Sequence, residues 1–318
     1  MDERDEATWD DTGDPAPRVR RFMSADDFLA RRSAGVPSAP RGDRTARLRS
    51  MAADLVRARR PGRRAGDQEA EDRAAIRREF DEPRTIAFLG PRETAPVAAT
   101  MVAAAATFGA ARRGGVVAWD NSGDPGGEQP EGGPGGTPRD LLAAIADHPD
   151  PGGLGVAELG RVVRAQGDGC FDLLAGGQDP DSRAGLAGAD FEAVHSVLRR
   201  FYRLILIDVG DDATTDDWLA AAMAADLLVV TASLAEDSGY RALRMLDELQ
   251  TLGYPNLKYQ TVTVLSDAGT RAEAMLVADL VHVFTQRTRA VCRVPHDPRS
   301  PGATPSWLPA CAAMAAAL

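Results

Sequence analysis

The sequence predicts an α/β fold, a doubly wound and mostly parallel sheet of about seven strands with helices on both faces. Two observations carry this prediction. Short apolar runs rich in β-branched residues recur from Arg84 onwards, and a helical pattern separates nearly every pair of neighbouring runs. Regular alternation of strand and helix is typical of parallel sheets, because parallel strands need a crossover connection.

The predicted elements follow in order along the chain. The strands are TIAFL (85–89), VVAWD (116–120), CFDLL (170–174), LILID (204–208), LLVVT (227–231), TVTVL (261–265) and AVCRV (290–294). The helices are Pro96–Arg112, Arg139–Ala146, Val156–Ala165, Phe191–Tyr202, Asp216–Ala225, Ser238–Leu252 and Arg271–Arg287. The C-terminal SWLPACAAMAAAL lacks basic residues, so we expect it to pack against the domain rather than to target a membrane.

The first 83 residues lie outside this alternation. We therefore divide the chain into a flexible, Arg-rich extension with short helices, residues 1–83, and an α/β domain, residues 84–318. Within the extension, SADDFLARR predicts a capped helical turn in which Ser24 and Asp27 satisfy the first amides. A short charged helix, Glu71–Phe80, is expected to lead into the domain.

Charge is distributed unevenly between the two parts. The net charge is −10, yet residues 18–64 contain 14 Arg against 4 acidic residues. The stretch 43–60 predicts a basic amphipathic helix, whose cationic residues are Arg44, Arg47, Arg49, Arg57, Arg59 and Arg60. Such an arm binds nucleic acid, anionic membrane or a partner protein, docks on the acidic face of its own chain, or is simply a solvated tail kept soluble by arginine.

Composition excludes several classes of protein. Cys170, Cys292 and Cys311 are widely spaced and odd in number, which argues against a disulfide framework and a zinc site. The acidic start MDERDEATWDD is not a signal peptide. The most apolar run, residues 97–111, is too short and too rich in alanine to span a bilayer. We expect a cytoplasmic protein.

Polar residues follow four of the predicted strands. GPRETAP, WDNSGDP, DVGDD and PHDP come directly after the first, second, fourth and last strands. Ligands of this fold class bind at the carboxyl ends of the strands. Asp120, Asp208, Asp211 and Asp212 are therefore expected at one edge, as a Mg²⁺–phosphate site requires. Taken singly, each aspartate fits ordinary turn and N-cap chemistry equally well.

Several longer segments carry a resemblance to a known family. These are TIAFLGPRETAPVAATMVAAAATFG, VVAWDN, FYRLILIDVG, AEDSGYRALRMLDEL, VTVLSD and RTRAVCRVPHDP. Together they make residues 84–318 similar to the ParA/MinD-like P-loop ATPases, in particular an actinobacterial branch often called chromosome-partitioning or MinD-like proteins. The first segment lies where the family carries its Walker A motif, the third resembles its Walker B strand, and the last lies near its base-binding pocket.

The resemblance implies a set of nucleotide-binding positions. They are Gly90, Arg92, Thr94, Val97, Ala98, Asp120, Asp208, Gly210, Ser266 and Pro295, with Asp120 and Asp208 as the candidate catalytic and Mg²⁺-binding residues. The family loop reads roughly K-G-G-x-G-K-T, in which backbone amides wrap the phosphates, the last Lys reaches their oxygens and the Thr hydroxyl binds Mg²⁺.

This sequence departs from that loop at nearly every position. Arg92 falls on the first Lys, Glu93 and Thr94 on the first two glycines, Pro96 on the third, Val97 on the loop Lys and Ala98 on the Thr. Proline removes an amide donor, and Glu93 brings negative charge to where phosphates would lie. The only lysine of the chain, Lys258, is on a predicted loop far downstream. The start of helix Pro96–Arg112 with Arg92 retains the capacity to accept a lone anion.

Two functional hypotheses follow. The first is a non-hydrolysing scaffold or regulator, a pseudo-ATPase with a degenerate Walker A loop and no cofactor, in a setting such as DNA partitioning, conjugation or type VII secretion. The second is an active ATPase with a remodelled loop, which binds ATP and Mg²⁺ and cycles between monomer and dimer. Expected partners are a protein, a second copy of the chain in a homodimer, and DNA or anionic membrane at the arm.

Overall fold

The central β-sheet organises the fold of this computed structural model. The structure describes residues 22–37, 65–91, 93–122, 135–148, 153–176, 185–210, 215–254, 256–267, 272–294 and 305–318. Eight strands form one sheet in the order β3-β4-β2-β5-β1-β6-β7-β8. The strands are β1 Arg84–Leu89, β2 Val116–Asp120, β3 Arg164–Gln166, β4 Phe171–Leu174, β5 Leu204–Asp208, β6 Leu227–Ser233, β7 Thr261–Ser266 and β8 Ala290–Val294.

Ten α-helices lie in the described residues. They are α1 Ala25–Ser33, α2 Ala65–Ile76, α3 Val97–Arg112, α4 Pro138–Asp147, α5 Val156–Val162, α6 Gly188–Phe201, α7 Asp216–Ala224, α8 Glu236–Thr251, α9 Ala274–Arg287 and α10 Leu308–Ala317. The mostly parallel α/β sheet predicted from the sequence is confirmed. All seven predicted strands are present within one or two residues of their expected bounds.

An eighth strand, β3, joins the seven strands identified from the sequence. The pattern over Val156–Ala165 predicts one helix, but α5 ends at Val162 and the following residues form β3, antiparallel to β4. Three consecutive residues with positive φ, Gly167, Asp168 and Gly169, turn the chain between the two strands. A Gly-Asp-Gly segment accommodates this left-handed backbone at low cost, so a tight hairpin replaces the end of the helix.

The strand order places a topological switch at the middle of the sheet. β1 pairs with β5 on one side and with β6 on the other, and all pairings except β3–β4 are parallel. From β1 the chain moves to β2 on one side, and from β5 it crosses to β6 on the other. The carboxyl ends of β1, β2 and β5 therefore lie side by side at one edge, where doubly wound folds form their binding crevice.

Helices cover both faces of the sheet. One hydrophobic core contains α2, α3 and α10, with Phe88, Phe108 and Met314 fully buried. The other contains α1 and α4 to α9, with Phe28, Phe191 and Trp218 at its centre. The inner strands are buried on both sides, which accounts for their nearly continuous apolar sequence, whereas the edge strands β3 and β8 are partly exposed.

Two helices of the predicted extension pack against the domain. Helix α1 begins with the expected capping box between Ser24 and Asp27, and Ala25 and Phe28 are fully buried in a domain core. Helix α2 packs against α10, and Ile76 is fully buried in the opposite core. The C-terminal α10 is also packed, as predicted. No helix among the described residues is long and apolar enough to cross a membrane.

Candidate functional site

The loop after β1 occupies the central crevice of the sheet. It runs from Gly90 to Pro96 and leads into α3. Gly90 lies against β6, because a Cβ atom there would be 2.7 Å from the carbonyl oxygen of Thr231 and would also collide with the Thr231 hydroxyl. The glycine is thus required for close backbone contact between the loop and its neighbouring strand. Arg92 lies outside the described residues.

The backbone amides of this loop bond to the loop itself. The amides of Thr94 and Ala95 donate to the carbonyl oxygen of Pro91, at 2.9 and 2.7 Å, and the amide of Val97 donates to the carbonyl oxygen of Ala95 at 3.0 Å. Pro96 precedes the helix and has no amide to donate. The loop therefore contains a compact turn in which these three amides bond to carbonyl oxygens of the loop.

Side chains at the start of α3 are apolar. Val97, on the position of the family's loop lysine, is 4% exposed and belongs to the core that includes Met101. Ala98, on the position of the threonine, has no hydroxyl. Nothing in the first turn of α3 carries an acidic group, and Pro96 provides no side-chain cap. The helix start thus presents hydrocarbon where a phosphate site would present charge and a metal ligand.

Glu93 is the exposed charge of the loop. Its side chain is 76% exposed and pairs with Arg241 of α8, with a carboxylate-to-guanidinium distance of 3.5 Å. Arg241 also pairs with Asp237 one turn earlier on its own helix, at 3.1 Å. Arg241, the cation that contacts the loop, is therefore already neutralised by two carboxylates.

Two predicted carboxylates meet next to the loop. Asp120 ends β2 and Asp208 ends β5, and the two residues are register partners on adjacent parallel strands. Both are buried. Asp120 accepts from the amide and hydroxyl of Ser122, at 3.0 and 2.7 Å, and Asp208 accepts from the amide of Gly210 at 2.9 Å.

These contacts are those of strand-end turns. Gly210 has a φ of +76°, which favours glycine and lets its amide turn back towards Asp208. Asp211 and Asp212, predicted at the same edge, lie outside the described residues. Within the described part of the chain, no group of three or more His, Cys, Asp or Glu side chains has the geometry to hold a metal ion.

Asn121 is a buried residue of this edge that the sequence analysis does not single out. Its side-chain amide donates to the carbonyl oxygen of Leu186 at 3.1 Å and accepts from the Leu186 amide at 2.8 Å. Its own backbone amide donates to the carbonyl oxygen of Asp208 at 3.0 Å. Asn121 thereby fastens the segment before α6 onto the ends of β2 and β5. Only its place after a strand offers a sequence signal.

Glycine backbone at the end of β4 and before α6 lies close to this edge of the sheet. Gly176 approaches Asp120 so closely that a Cβ atom there would be 2.7 Å from the carboxylate oxygen Oδ2. Gly185 likewise lies directly against the backbone of Asn121 and the carboxylate of Asp217. Gly176 therefore packs directly onto Asp120, a predicted site residue, and Gly185 packs onto the neighbouring Asn121.

The remaining predicted positions lie further away or outside the described residues. Ser266 ends β7, two strands from β1, and its hydroxyl contacts the carbonyl oxygen of Ala232 at 3.4 Å. Pro295 lies outside the described residues. Lys258 precedes β7 at the opposite edge of the sheet from the loop, with its ammonium 5.7 Å from the ring centroid of Phe22. It is therefore not placed to act at residues 90–96.

Comparison with known proteins rests on the fold. No family model matches the chain, and no curated protein matches it in sequence. The structure is similar to a ParA family ATPase from Chlorobium tepidum TLS, with a TM-score of 0.51 and 16% identity, over 68% of this chain and 85% of that one. The cell division ATPase MinD of Pyrococcus furiosus aligns over 74% of this chain and 97% of its own, at 16% identity and a TM-score of 0.48. The chain thus shares the fold of a ParA family ATPase.

Proposed function

We propose that this protein is a ParA/MinD-like scaffold or regulator that does not hydrolyse ATP. The observation that carries the proposal is the self-bonded loop after β1. An anion cradle needs amides that converge on open space, but the amides of Thr94, Ala95 and Val97 donate to carbonyl oxygens within the loop.

The residues of the loop do not fit a Mg²⁺–nucleotide. Val97 is buried in the core in place of a lysine, and Ala98 has no hydroxyl for the metal. Glu93 brings a negative charge to the loop. Loss of the cradle, the cation and the metal ligand together removes several kcal/mol of transition-state stabilisation, enough to abolish useful turnover.

Asp120 and Asp208, at the same edge of the sheet, can have a structural role. Asp120 caps the turn at Ser122, and Asp208 caps the turn at Gly210. Retention of the two aspartates is therefore compatible with a protein that binds no metal.

One observation favours a second candidate, an active ATPase with a remodelled loop that cycles between monomer and dimer. Asp120 and Asp208 lie in register at the centre of the crevice, where the fold class places catalytic and metal-binding groups. ATP and Mg²⁺ would be the cofactors in that case, and the loop would have to rearrange to release its amides.

The proposed partners follow from charge. The candidates are a protein partner, a second copy of the chain, and DNA or anionic membrane. DNA or membrane would contact the arm, which lies outside the described residues. The arginines proposed for this contact are Arg44, Arg47, Arg49, Arg57, Arg59 and Arg60. DNA partitioning, conjugation and type VII secretion in the cytoplasm are the proposed settings. Identification of the partner would decide among these settings.

Calorimetric titration with ATP, with and without Mg²⁺, tests the proposal. We expect no heat of binding from the full chain at millimolar nucleotide, and no rise in melting temperature, since a ligand that does not bind cannot stabilise. Saturable binding that requires Mg²⁺ would instead support the active ATPase.

A further inference from the structure

The N-terminal helix α1 lies in a groove between α8 and α9. It runs antiparallel to α8, because its first residue contacts Asp247 near the end of that helix and Arg32 contacts Glu236 at its start. The fully buried side chains of α1 are Ala25 and Phe28, on the same helical face as Arg32. A residue pattern of i, i+3 and i+7 thus faces the groove.

Polar contacts hold the beginning of α1. The amide of Ala25 donates to Asp247 at 2.9 Å, and Arg287 of α9 donates both to Asp247, at 2.7 Å, and to the carbonyl oxygen of Met23, at 3.0 Å. Tyr240 donates to the carboxylate of Asp26 at 3.1 Å. The start of α1 is therefore recognised by groups from both helices of the groove.

Arg32 holds the other end of α1 through three carboxylates. It pairs with Glu236 of α8 at 3.0 Å, with Glu273 just before α9 at 3.3 Å, and with Asp279 of α9 at 3.5 Å. The Arg32 side chain is 14% exposed and that of Asp279 only 1%. Glu236 and Glu273 are 43% and 56% exposed, so only Asp279 is a buried carboxylate. Without Arg32, the buried Asp279 would lose this guanidinium, so the groove favours a cation at this place.

Helix α1 is separable from the fold in a way that the other helices of this face are not. It precedes β1 in the chain, so it can leave the groove without disturbing a strand or a crossover. With nine residues it is too short to be stable as an isolated helix, and its formation depends on docking. Two fully buried side chains and one ionic cluster form a small set of anchors.

We propose that the α8–α9 groove is a helix-docking site, with α1 as its displaceable intramolecular occupant. The partner that it fits is a helix that carries a small residue, a phenylalanine and an arginine at positions i, i+3 and i+7. Such a helix fills the pocket of Phe28 and neutralises the three carboxylates. A partner helix of this kind must displace α1 from the groove. Helix α1 is therefore an intramolecular competitor, and only a partner with higher affinity for the groove binds in trans.

Hydrogen exchange on the full chain tests whether α1 opens by itself. We expect the amides of α1 to exchange faster than those of α8 and β6, and faster still at high salt, which screens the Arg32 cluster. Arg32→Ala should accelerate exchange in α1 by about tenfold or more, as expected for losing charged hydrogen bonds, and leave α8 and β6 unchanged. The exposed neighbour Arg31→Ala is the matched control. Exchange of α1 together with the central strands would overturn the proposal.

A peptide of residues 22–37, labelled and blocked at both ends, tests docking in trans. The receptor is the full-length Phe28→Ala/Arg32→Ala variant, in which the intramolecular occupant is weakened. We expect saturable binding, weakened about tenfold or more by Arg32→Ala in the peptide and unaffected by Arg31→Ala. Wild-type protein should bind the peptide more weakly than the variant does.

Two results of the peptide experiment would contradict the proposal. One is absence of binding to a variant that keeps the wild-type circular dichroism spectrum. The other is equal binding by the wild type and the variant, since the groove would then not be the site. If the double variant does not fold, exchange in the wild-type and Arg32→Ala proteins decides the question alone.

Discussion

The side-chain amide of Asn121 pairs with the backbone of Leu186 as a neighbouring strand would, donating to its carbonyl oxygen and accepting from its amide. Asn121 is 2% exposed, and the two residues are 65 positions apart in the chain. One side chain therefore joins the end of β2 to the segment before α6. This pair of hydrogen bonds, the Asn121 clamp, fixes Leu186 next to the strand end that carries Asp120.

Asn121→Ala should destabilise the fold by about 2–4 kcal/mol, because both buried backbone groups of Leu186 lose their partner. Asn121→Asp offers a sharper comparison. At pH 7 its carboxylate accepts but cannot donate, whereas the protonated acid at low pH does both. Urea unfolding should show that Asn121→Asp regains stability relative to Asn121→Ala as the pH falls. Parallel behaviour of the two variants would count against the clamp.

The burial of Val97 predicts that a lysine at this position destabilises the fold. Val97→Lys should cost about 2–4 kcal/mol of unfolding free energy, because the ammonium would be placed in an apolar core. Ala98→Lys, at the half-buried neighbouring position, is the control and should change stability by less than about 1 kcal/mol. In a working phosphate loop the lysine would point into the crevice instead. Full tolerance of Val97→Lys in urea unfolding would show that the side chain can turn outwards.

His195 predicts a pH dependence of stability. Its Nε2 lies 2.9 Å from the Thr85 hydroxyl, and burial, helped by the nearby charge of Arg199, lowers its pKa to about 4. The unfolded histidine has a pKa of about 6.5. The stability contributed by neutral, buried His195 is therefore complete above pH 6.5 and is lost as the pH falls towards 4, by about 3 kcal/mol in total. His195→Gln should flatten this part of the urea-unfolding profile, and an unchanged slope would argue against the assignment.

The arm requires a more selective deletion than the sequence suggests. Removing residues 1–83 would also remove Phe28 and Ile76, which are fully buried in the two cores. Glutamine in place of Arg44, Arg47, Arg49, Arg57, Arg59 and Arg60 leaves both helices intact. Any binding of the full chain to duplex DNA or anionic vesicles should be lost in this variant, and in the wild type it should weaken steeply with salt. Equal binding by both proteins would place the contact elsewhere.

Much of the fold was predictable, because it depends on local pattern. The alternation of strands and helices identifies seven strands, and the capping box of Ser24 and Asp27 identifies the start of α1. The eighth strand was not predicted, since three residues are too few to show alternation and the Gly-Asp-Gly turn outweighed the helical pattern before it.

The site was predictable only in part, because its contacts are distant in sequence. The strand-end rule places Asp120 and Asp208 at one edge, and the structure pairs them in register. The inward bonding of the loop amides depends on backbone angles that residue identity does not specify. The docking of α1 joins residues more than 200 positions apart, such as Ala25 and Asp247, and leaves no periodic signal.

Steady-state ATP turnover shows whether the loop after β1 supports hydrolysis. The measurement compares phosphate release by the wild-type protein and Asp208→Ala, with saturating Mg²⁺ and millimolar ATP, in the presence and absence of duplex DNA. We expect phosphate release by both proteins to remain at background under every condition. Wild-type turnover that Asp208→Ala abolishes would contradict this expectation.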